Sequence, residues 1–188
     1  MKVAVAVWVS LLLVCTVTGC GGAFHANSNI AFMGDSITNY WSLPATNFGV
    51  PGNTTTNMLD RFSGEVLGHG YKAVVILGGS NDIRNVNTSV DEEVATVVAN
   101  LQAMAEDARK DNFVVVLCDL PPIANDDARV VPLNAAITSL AKANKYRLVD
   151  YYTPMAGHPE YFKDGLHPND SGYAVMAAAL SEVLPLDY

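Results

Sequence analysis

The chain has 188 residues, of which 50% are hydrophobic, and its formal net charge at pH 7 is −8. This length and apolar content suffice for one domain with a substantial core. Because binding to nucleic acid or to anionic lipid head groups usually requires a basic surface, the acidic charge argues against both as partners.

Residues 1–19 have the layout of a secretory signal. Lys2 precedes an apolar run at 3–14, which is shorter than the roughly 20 apolar residues that span a bilayer. The stretch Val17-Thr18-Gly19-Cys20 resembles a bacterial lipobox, in which Cys20 is lipidated and becomes the first mature residue; ordinary cleavage nearby is the alternative. We therefore expect an exported, membrane-anchored bacterial lipoprotein, or otherwise a periplasmic or secreted protein, that contacts the membrane only through its lipid.

On this interpretation Cys118 is the one thiol that remains, which excludes a disulfide within one chain. Cys118 ends an apolar run at 113–118, and such a run is typical of a buried strand. An inert core thiol is therefore favoured over a catalytic one.

A glycine-rich polar tether at 20–28 precedes a single predicted domain at 29–188. Apolar runs within the domain predict five strands, at 30–33, 47–50, 73–77, 113–118 and 147–151. Residues with helical spacing lie between them, most clearly after the capping box that Ser89 and Glu92 form. Further helices are predicted after Asn53, over 133–141 and from about Asp170.

Strands that are apolar throughout and alternate with helices indicate a parallel sheet covered on both faces. The predicted fold is therefore α/β, a three-layer α/β/α sandwich with a five-stranded parallel sheet in the flavodoxin-like order 2-1-3-4-5. In such sheets ligands bind beyond the carboxyl ends of the strands, where the winding direction reverses. The loops at that point, 34–36, 49–55 and 78–83, are rich in glycine and small polar residues.

Ser36 follows the first predicted strand and is the candidate nucleophile, which needs a base. His25 lies in the tether, and His69 precedes the third strand, at the edge of the sheet opposite Ser36. His167 follows the fifth strand, at the same edge as Ser36. Asp164, three residues earlier, could orient the imidazole of His167, or it could merely cap backbone amides. His158, with Glu160 nearby, is the rival base.

Acyl transfer also requires hydrogen-bond donors for the developing oxyanion. The backbone amides of Ser36 and Gly52 and the side chain of Asn81 are candidates, because each follows a neighbouring strand. Ordinary turn chemistry is the alternative for Gly52 and Asn81.

Four ordered blocks carry a family resemblance: Gly34-Asp35-Ser36, Gly52 within 49–55, Gly79-Ser80-Asn81-Asp82, and Asp164-Gly165-Leu166-His167-Pro168. Together they resemble the SGNH hydrolase, or GDSL esterase/lipase, superfamily, from Ile30 to about Leu184. The resemblance implies that Ser36 is the nucleophile, His167 the base and Asp164 its orienter. It also implies an oxyanion hole of Ser36, Gly52 and Asn81, and no cofactor.

Two departures from the pattern are Ile37, where leucine is commoner, and a spacing of about fifteen residues from Ser36 to Gly52, which requires a short first crossover helix. Tyr40 and Trp41 could line an acyl pocket, but core packing is favoured. Asp126 and Asp127 have no third ligand grouped with them, so we expect a solvated loop there and no metal.

The expected function is a serine esterase that cleaves short-chain or acetyl esters, such as O-acetylated carbohydrate, through an acyl-enzyme. Its partner would be a small-molecule or polysaccharide ester, and the sequence leaves the natural ester and the oligomeric state open. A lysophospholipase or thioesterase of the same fold is an alternative, and a non-catalytic carbohydrate-binding protein is another.

Overall fold

The structure of the chain is a computed structural model that describes residues 27–42, 45–84 and 88–184. The predicted signal at 1–19, the lipidation site Cys20 and His25 lie outside these ranges. Within them, no helix is both long and apolar enough to cross a bilayer.

The sheet has five parallel strands in the order β2-β1-β3-β4-β5, so the predicted fold and strand order are confirmed. The strands are β1 (Asn27–Gly34), β2 (Ala45–Gly49), β3 (Ala73–Leu77), β4 (Val114–Cys118) and β5 (Arg147–Val149). β5 ends two residues before the predicted run does. The reason is that the backbone amides of Tyr151 and Tyr152 donate to the Asp119 carboxylate, at 2.6 and 3.1 Å.

Helices cover both faces of the sheet. They are α1 (Ser36–Asn39), α2 (Thr55–Glu65), α3 (Val90–Lys110), α4 (Asp127–Asn144), α5 (Tyr152–Met155) and α6 (Asp170–Val183). α1 is one turn long, as the spacing to Gly52 requires. α5 and a 3₁₀ turn at Pro159–Tyr161 were not predicted, because such short elements have no periodic pattern.

The capping box predicted for α3 is present, because Ser89 accepts from the Glu92 amide and the Glu92 carboxylate accepts from the Ser89 amide. The predicted loop at Asp126 and Asp127 is corrected: Asp126 is the N-cap of α4 and Asp127 its first residue. The spacing predicts this helix only from Leu133, whereas α4 begins at Asp127. The described residues contain no group of three or more His, Cys, Asp or Glu side chains that could hold a metal ion.

The core lies between the sheet and the helices, and Cys118 belongs to it with 1% exposure. Burial raises the pKa of its thiol well above the ordinary value, which confirms the predicted inert role. Trp41 is likewise a core residue and packs against Phe32, Tyr151 and Tyr173. Tyr40 differs from the expectation of core packing, since its side chain is 51% exposed.

Glycine is required where β1 ends. A Cβ added to Gly34 would lie 2.7 Å from Thr38 Cβ and 2.8 Å from the carbonyl oxygen of Leu77. One placed on Gly49 would lie 2.6 Å from Asn39 Cα. These two glycines therefore let the α1 turn pack directly on the carboxyl ends of three strands.

We predict that Gly34→Ala destabilises the protein by about 1–3 kcal/mol, because backbone and a buried side chain must move to admit the methyl group. Gly64→Ala is the matched control. It lies in α2 with no atom within 4 Å of the added Cβ, so helix propensity should make it stabilising by up to about 1 kcal/mol. Urea unfolding of both variants measures the difference, and equal effects of the two substitutions would contradict the packing argument.

Candidate active site

Ser36 is the first residue of α1 and follows an interior strand of the sheet, because β1 lies between β2 and β3. Asp35 caps the helix by accepting a hydrogen bond from the Ile37 amide at 2.9 Å. The turn closes with Asn39 N donating to Asp35 O and Tyr40 N donating to Ser36 O. Ser36 is 6% exposed, and this turn holds its hydroxyl at the carboxyl edge of the sheet.

In the structure, Ser36, His167 and Asp164 are joined by consecutive hydrogen bonds. Ser36 Oγ lies 2.9 Å from His167 Nε2, and His167 Nδ1 lies 2.7 Å from Asp164 Oδ2. With Nδ1 donating to the carboxylate, Nε2 is the acceptor for the serine hydroxyl. This is the arrangement that activates a serine by general-base catalysis.

Asp164 contacts the imidazole of His167 and also caps backbone amides, the two roles that the sequence left as alternatives. Its Oδ1 accepts from the backbone amides of Leu166 and His167, at 3.0 and 2.8 Å, while Oδ2 contacts the imidazole. Gly165 has φ +81°, and this left-handed conformation allows the tight turn between the two side chains. The carboxylate therefore holds both the backbone and the ring of His167.

These hydrogen bonds also set the charge of Asp164. The backbone amide of His167, followed by its imidazole, lowers the pKa of Asp164 from 3.8 to about 2. Its side chain is 54% exposed, so little desolvation opposes the shift. The carboxylate consequently stays negative beside His167 over the whole neutral and mildly acidic range.

His158 forms a separate pair. Its Nδ1 lies 2.8 Å from Glu160 Oε1, and its ring stacks on Tyr161 with 4.9 Å between centroids. The pairing resembles that of His167 with Asp164, but the histidine in hydrogen-bond contact with Ser36 is His167. His69 instead contacts the carbonyl oxygen of Gly64, before β3.

Gly52 and Asn81 follow β2 and β3, on either side of the Ser36 turn. Gly52 has φ +79° and open space where a side chain would be. Asn81 Nδ2 donates to the carbonyl oxygen of Asn53 at 2.9 Å and lies 3.5 Å from Asp35 Oδ2. The second contact is at the outer limit of a hydrogen bond, so it is the weaker of the two that the amide group makes.

Asp35 is a site residue whose role the sequence did not indicate. It is fully buried, and its Oδ2 accepts from Ser80 Oγ at 2.5 Å, which ties the loop after β3 to the Ser36 turn. Burial raises its pKa from 3.8. The available signal was a carboxylate directly after an apolar strand, since such a group must find donors inside the fold.

Tyr40, for which the sequence favoured core packing over lining an acyl pocket, also lies at the site. Its exposed ring meets the imidazole of His167 edge-on, with 5.3 Å between centroids. Its neighbour Trp41 points into the core, so the two aromatic residues lie on opposite sides of one turn.

Comparison with known proteins identifies the family of the chain. The model of the GDSL-like lipase/acylhydrolase family matches residues 16–175, and the chain belongs to that family. No protein of curated function matches the chain significantly.

Several solved structures share the fold. A GDSL-like lipase from Bacteroides thetaiotaomicron is 31% identical over 81% of this chain and 85% of its own, with a TM-score of 0.74. The lipase/acylhydrolase from Enterococcus faecalis is 25% identical over 83% and 94%, with a TM-score of 0.71. The acetyl xylan esterase AlAXEase is 21% identical over 81% and 98%, with a TM-score of 0.72, and this likeness shows the fold alone.

The lowered pKa of Asp164 predicts a pH dependence of stability. As pH falls, the unfolded chain takes up this proton near 3.8 and the folded chain only near 2. The contribution of Asp164 is therefore complete above about pH 5 and is lost as the pH approaches 2. The stability of wild type minus that of Asp164→Asn, measured from pH 5 down to pH 2.5, should have its full value at pH 5 and should decrease below pH 4. Urea unfolding of both proteins across this pH range measures the difference. A difference that stays constant down to pH 2.5 would contradict the lowered pKa of Asp164.

Proposed function

We propose that this GDSL-family protein is a serine esterase that hydrolyses short-chain or acetyl esters, including O-acetylated carbohydrate, through an acyl-enzyme. The observation that carries the proposal is the hydrogen bond of 2.9 Å between Ser36 Oγ and His167 Nε2, with Asp164 2.7 Å from the other ring nitrogen. A serine hydroxyl becomes a competent nucleophile when a neutral imidazole accepts its proton, and both atoms are in contact for that transfer.

In the proposed acylation step, His167 Nε2 takes the proton of Ser36 as Oγ attacks the ester carbonyl carbon. The carbonyl oxygen becomes an oxyanion that accepts hydrogen bonds from the amides of Ser36 and Gly52 and from Asn81 Nδ2. Removal of one such donor typically lowers kcat on the order of 10²-fold to 10³-fold. The imidazolium then protonates the leaving alkoxide, the ester C–O bond breaks, and the acyl group remains on Ser36.

In the proposed deacylation step, His167 takes a proton from water as the water oxygen attacks the acyl carbon. The tetrahedral intermediate expels Ser36 Oγ, which regains its proton from Nε2, and the carboxylic acid leaves. Asp164 stays ionised and stabilises the imidazolium in both steps. Neither step requires a cofactor.

The open surroundings of the site support a small acyl group on a larger, exposed substrate. Gly52 and Tyr40 are both exposed. The fold is also that of AlAXEase, an acetyl xylan esterase, although the two chains are only 21% identical. We also propose export of the domain and lipidation at Cys20, which would hold it near polymeric carbohydrate outside the cytoplasm.

A fluorophosphonate probe tests the enzyme class directly, because it reacts only with an activated serine. We expect one label per chain, at Ser36 by peptide mass spectrometry, and no label on Ser36→Ala. Unlabelled wild type, or equal labelling of both proteins, would exclude a serine esterase in favour of a non-catalytic binding protein. On labelled enzyme, hydrolysis of acetylated sugars, lysophospholipids and acyl-thioesters then separates the three substrate classes.

The two His–carboxylate pairs allow a matched test of the base. Asp164→Asn should lower kcat for p-nitrophenyl acetate by on the order of 10³-fold to 10⁴-fold, because the amide neither fixes the tautomer of His167 nor stabilises its positive charge. Glu160→Gln makes the same chemical change beside His158 and should alter kcat less than twofold. If Glu160→Gln were the more damaging substitution, His158 would be the base.

A further inference from the structure

Tyr40 has a fixed position at the end of the turn that begins with Ser36. Its backbone amide donates to the carbonyl oxygen of Ser36 at 3.0 Å, and residues four positions apart in such a turn lie on one face. The next residue, Trp41, is anchored in the core, where its ring stacks on Tyr173 with 5.5 Å between centroids. Because Trp41 enters the core, the side chain of Tyr40 is directed to the surface beside Ser36.

The surroundings of the Tyr40 ring distinguish it from other exposed apolar groups. Among the described residues, the large hydrophobic side chains that are exposed are those of Tyr40, Val50 and Val131. Single exposed apolar groups are ordinary on a protein surface. Tyr40, however, is the aromatic one of the three, and its ring contacts the imidazole of His167 at an interplanar angle of 63°. This contact orients the ring, while 51% of the residue remains open to solvent.

The reaction proposed above determines which part of an ester meets this ring. In that reaction His167 Nε2 gives the serine proton to the leaving alkoxide oxygen, so this oxygen must come within about 3 Å of Nε2. Tyr40 contacts the same imidazole, with 5.3 Å between the ring centroids. The groups that are bonded to the leaving oxygen therefore come close to Tyr40, whereas the acyl carbon is bonded to Ser36 Oγ.

An exposed aromatic side chain at this place favours an aromatic ring in the alcohol part of the ester. Two aromatic rings attract each other in offset-stacked or edge-to-face arrangements, in addition to the gain from removing apolar surface from water. A short aliphatic alcohol covers little of the Tyr40 ring. An alcohol that carries an aromatic ring close to the ester oxygen covers more of it, because ring centroids attract at separations of about 4.5–7 Å.

We propose that Tyr40 determines specificity for the alcohol part of the ester, by packing against an aromatic ring that the leaving alcohol carries. The proposal rests on the proposed esterase function and deepens it, because it assigns the selection of the leaving group to a residue outside the triad and the oxyanion donors. It differs from the acyl pocket that the sequence suggested for Tyr40, since the ring contacts His167, which protonates the leaving oxygen.

Two isomeric esters separate the alcohol side from the acyl side. Benzyl acetate has its aromatic ring on the alcohol part, methyl phenylacetate has it on the acyl part, and ethyl acetate has no ring. We expect wild type to have a kcat/KM for benzyl acetate about 10-fold above that for ethyl acetate, and Tyr40→Ala to reduce this ratio about 10-fold. Tyr40→Phe keeps the ring and should retain the ratio. Because each ratio is measured within one protein, a general loss of activity in a variant cancels.

Val131→Ala, which shortens an exposed apolar side chain on α4, is the matched control and should not change the ratio. An unchanged ratio in Tyr40→Ala, or a reduced one in Tyr40→Phe, would overturn the proposal. So would a Tyr40→Ala variant that loses activity on methyl phenylacetate but not on benzyl acetate, because the ring would then contact the acyl group.

Fluorophosphonate labelling at Ser36 separates these outcomes from failure of the esterase function. A wild type that is labelled but does not prefer benzyl acetate to ethyl acetate would be an esterase in which Tyr40 does not select the alcohol, and this comparison requires no variant. An unlabelled wild type would overturn both proposals. Labelling of Tyr40→Ala shows in addition that the variant has folded with its site intact.

Discussion

The buried carboxylate of Asp35 is the contact on which this edge of the sheet depends. It has no exposure, and it accepts hydrogen bonds from the Ile37 amide and the Ser80 hydroxyl, with Asn81 Nδ2 at 3.5 Å. A buried carboxylate is costly unless donors surround it, so separating the loops after β1 and β3 would leave a buried oxygen of Asp35 without its Ser80 donor. This requirement fixes the position of Asn81 relative to the turn that holds Ser36.

The backbone around Asp35 is held equally closely. Gly34 and Gly49 leave room for the α1 turn, and Arg61 of α2 donates to the carbonyl oxygen of Gly34 at 2.9 Å and to Asn53 Oδ1 at 2.8 Å. The loops on which Ser36, Gly52 and Asn81 lie are therefore cross-linked by buried or half-buried hydrogen bonds. Donors that are fixed before the substrate arrives need little reorganisation when charge develops, which is the condition for effective oxyanion stabilisation.

At the turn 164–167 an exposed carboxylate, that of Asp164, orients His167. One oxygen of Asp164 shapes the backbone and the other contacts the imidazole, so the orientation of His167 does not depend on burial. Exposure lets the surroundings of His167 remain open. In the function we propose, the reacting carbonyl lies between His167 on one side and the oxyanion donors on the other.

The sequence by itself determined the fold class, the capping box of Ser89 and the core position of Cys118, because hydrophobic periodicity and helix caps are local signals. The strand order was predicted from the usual order of doubly wound sheets, since local signals do not specify which strands are neighbours. It also pointed to Ser36, Asp164 and His167, because each follows a predicted strand. The contact between Ser36 and His167 joins residues 131 positions apart, and only the tertiary structure decided its distance.

The tertiary structure alone also decided further matters: that Tyr40 faces His167 while Trp41 enters the core, and that Asp35 is buried against Ser80. None of these follows from the sequence, for one physical reason. They depend on the paths of irregular turns and on the packing of helices against each other, which hydrogen bonds between distant residues determine and which leave no periodic pattern in the chain.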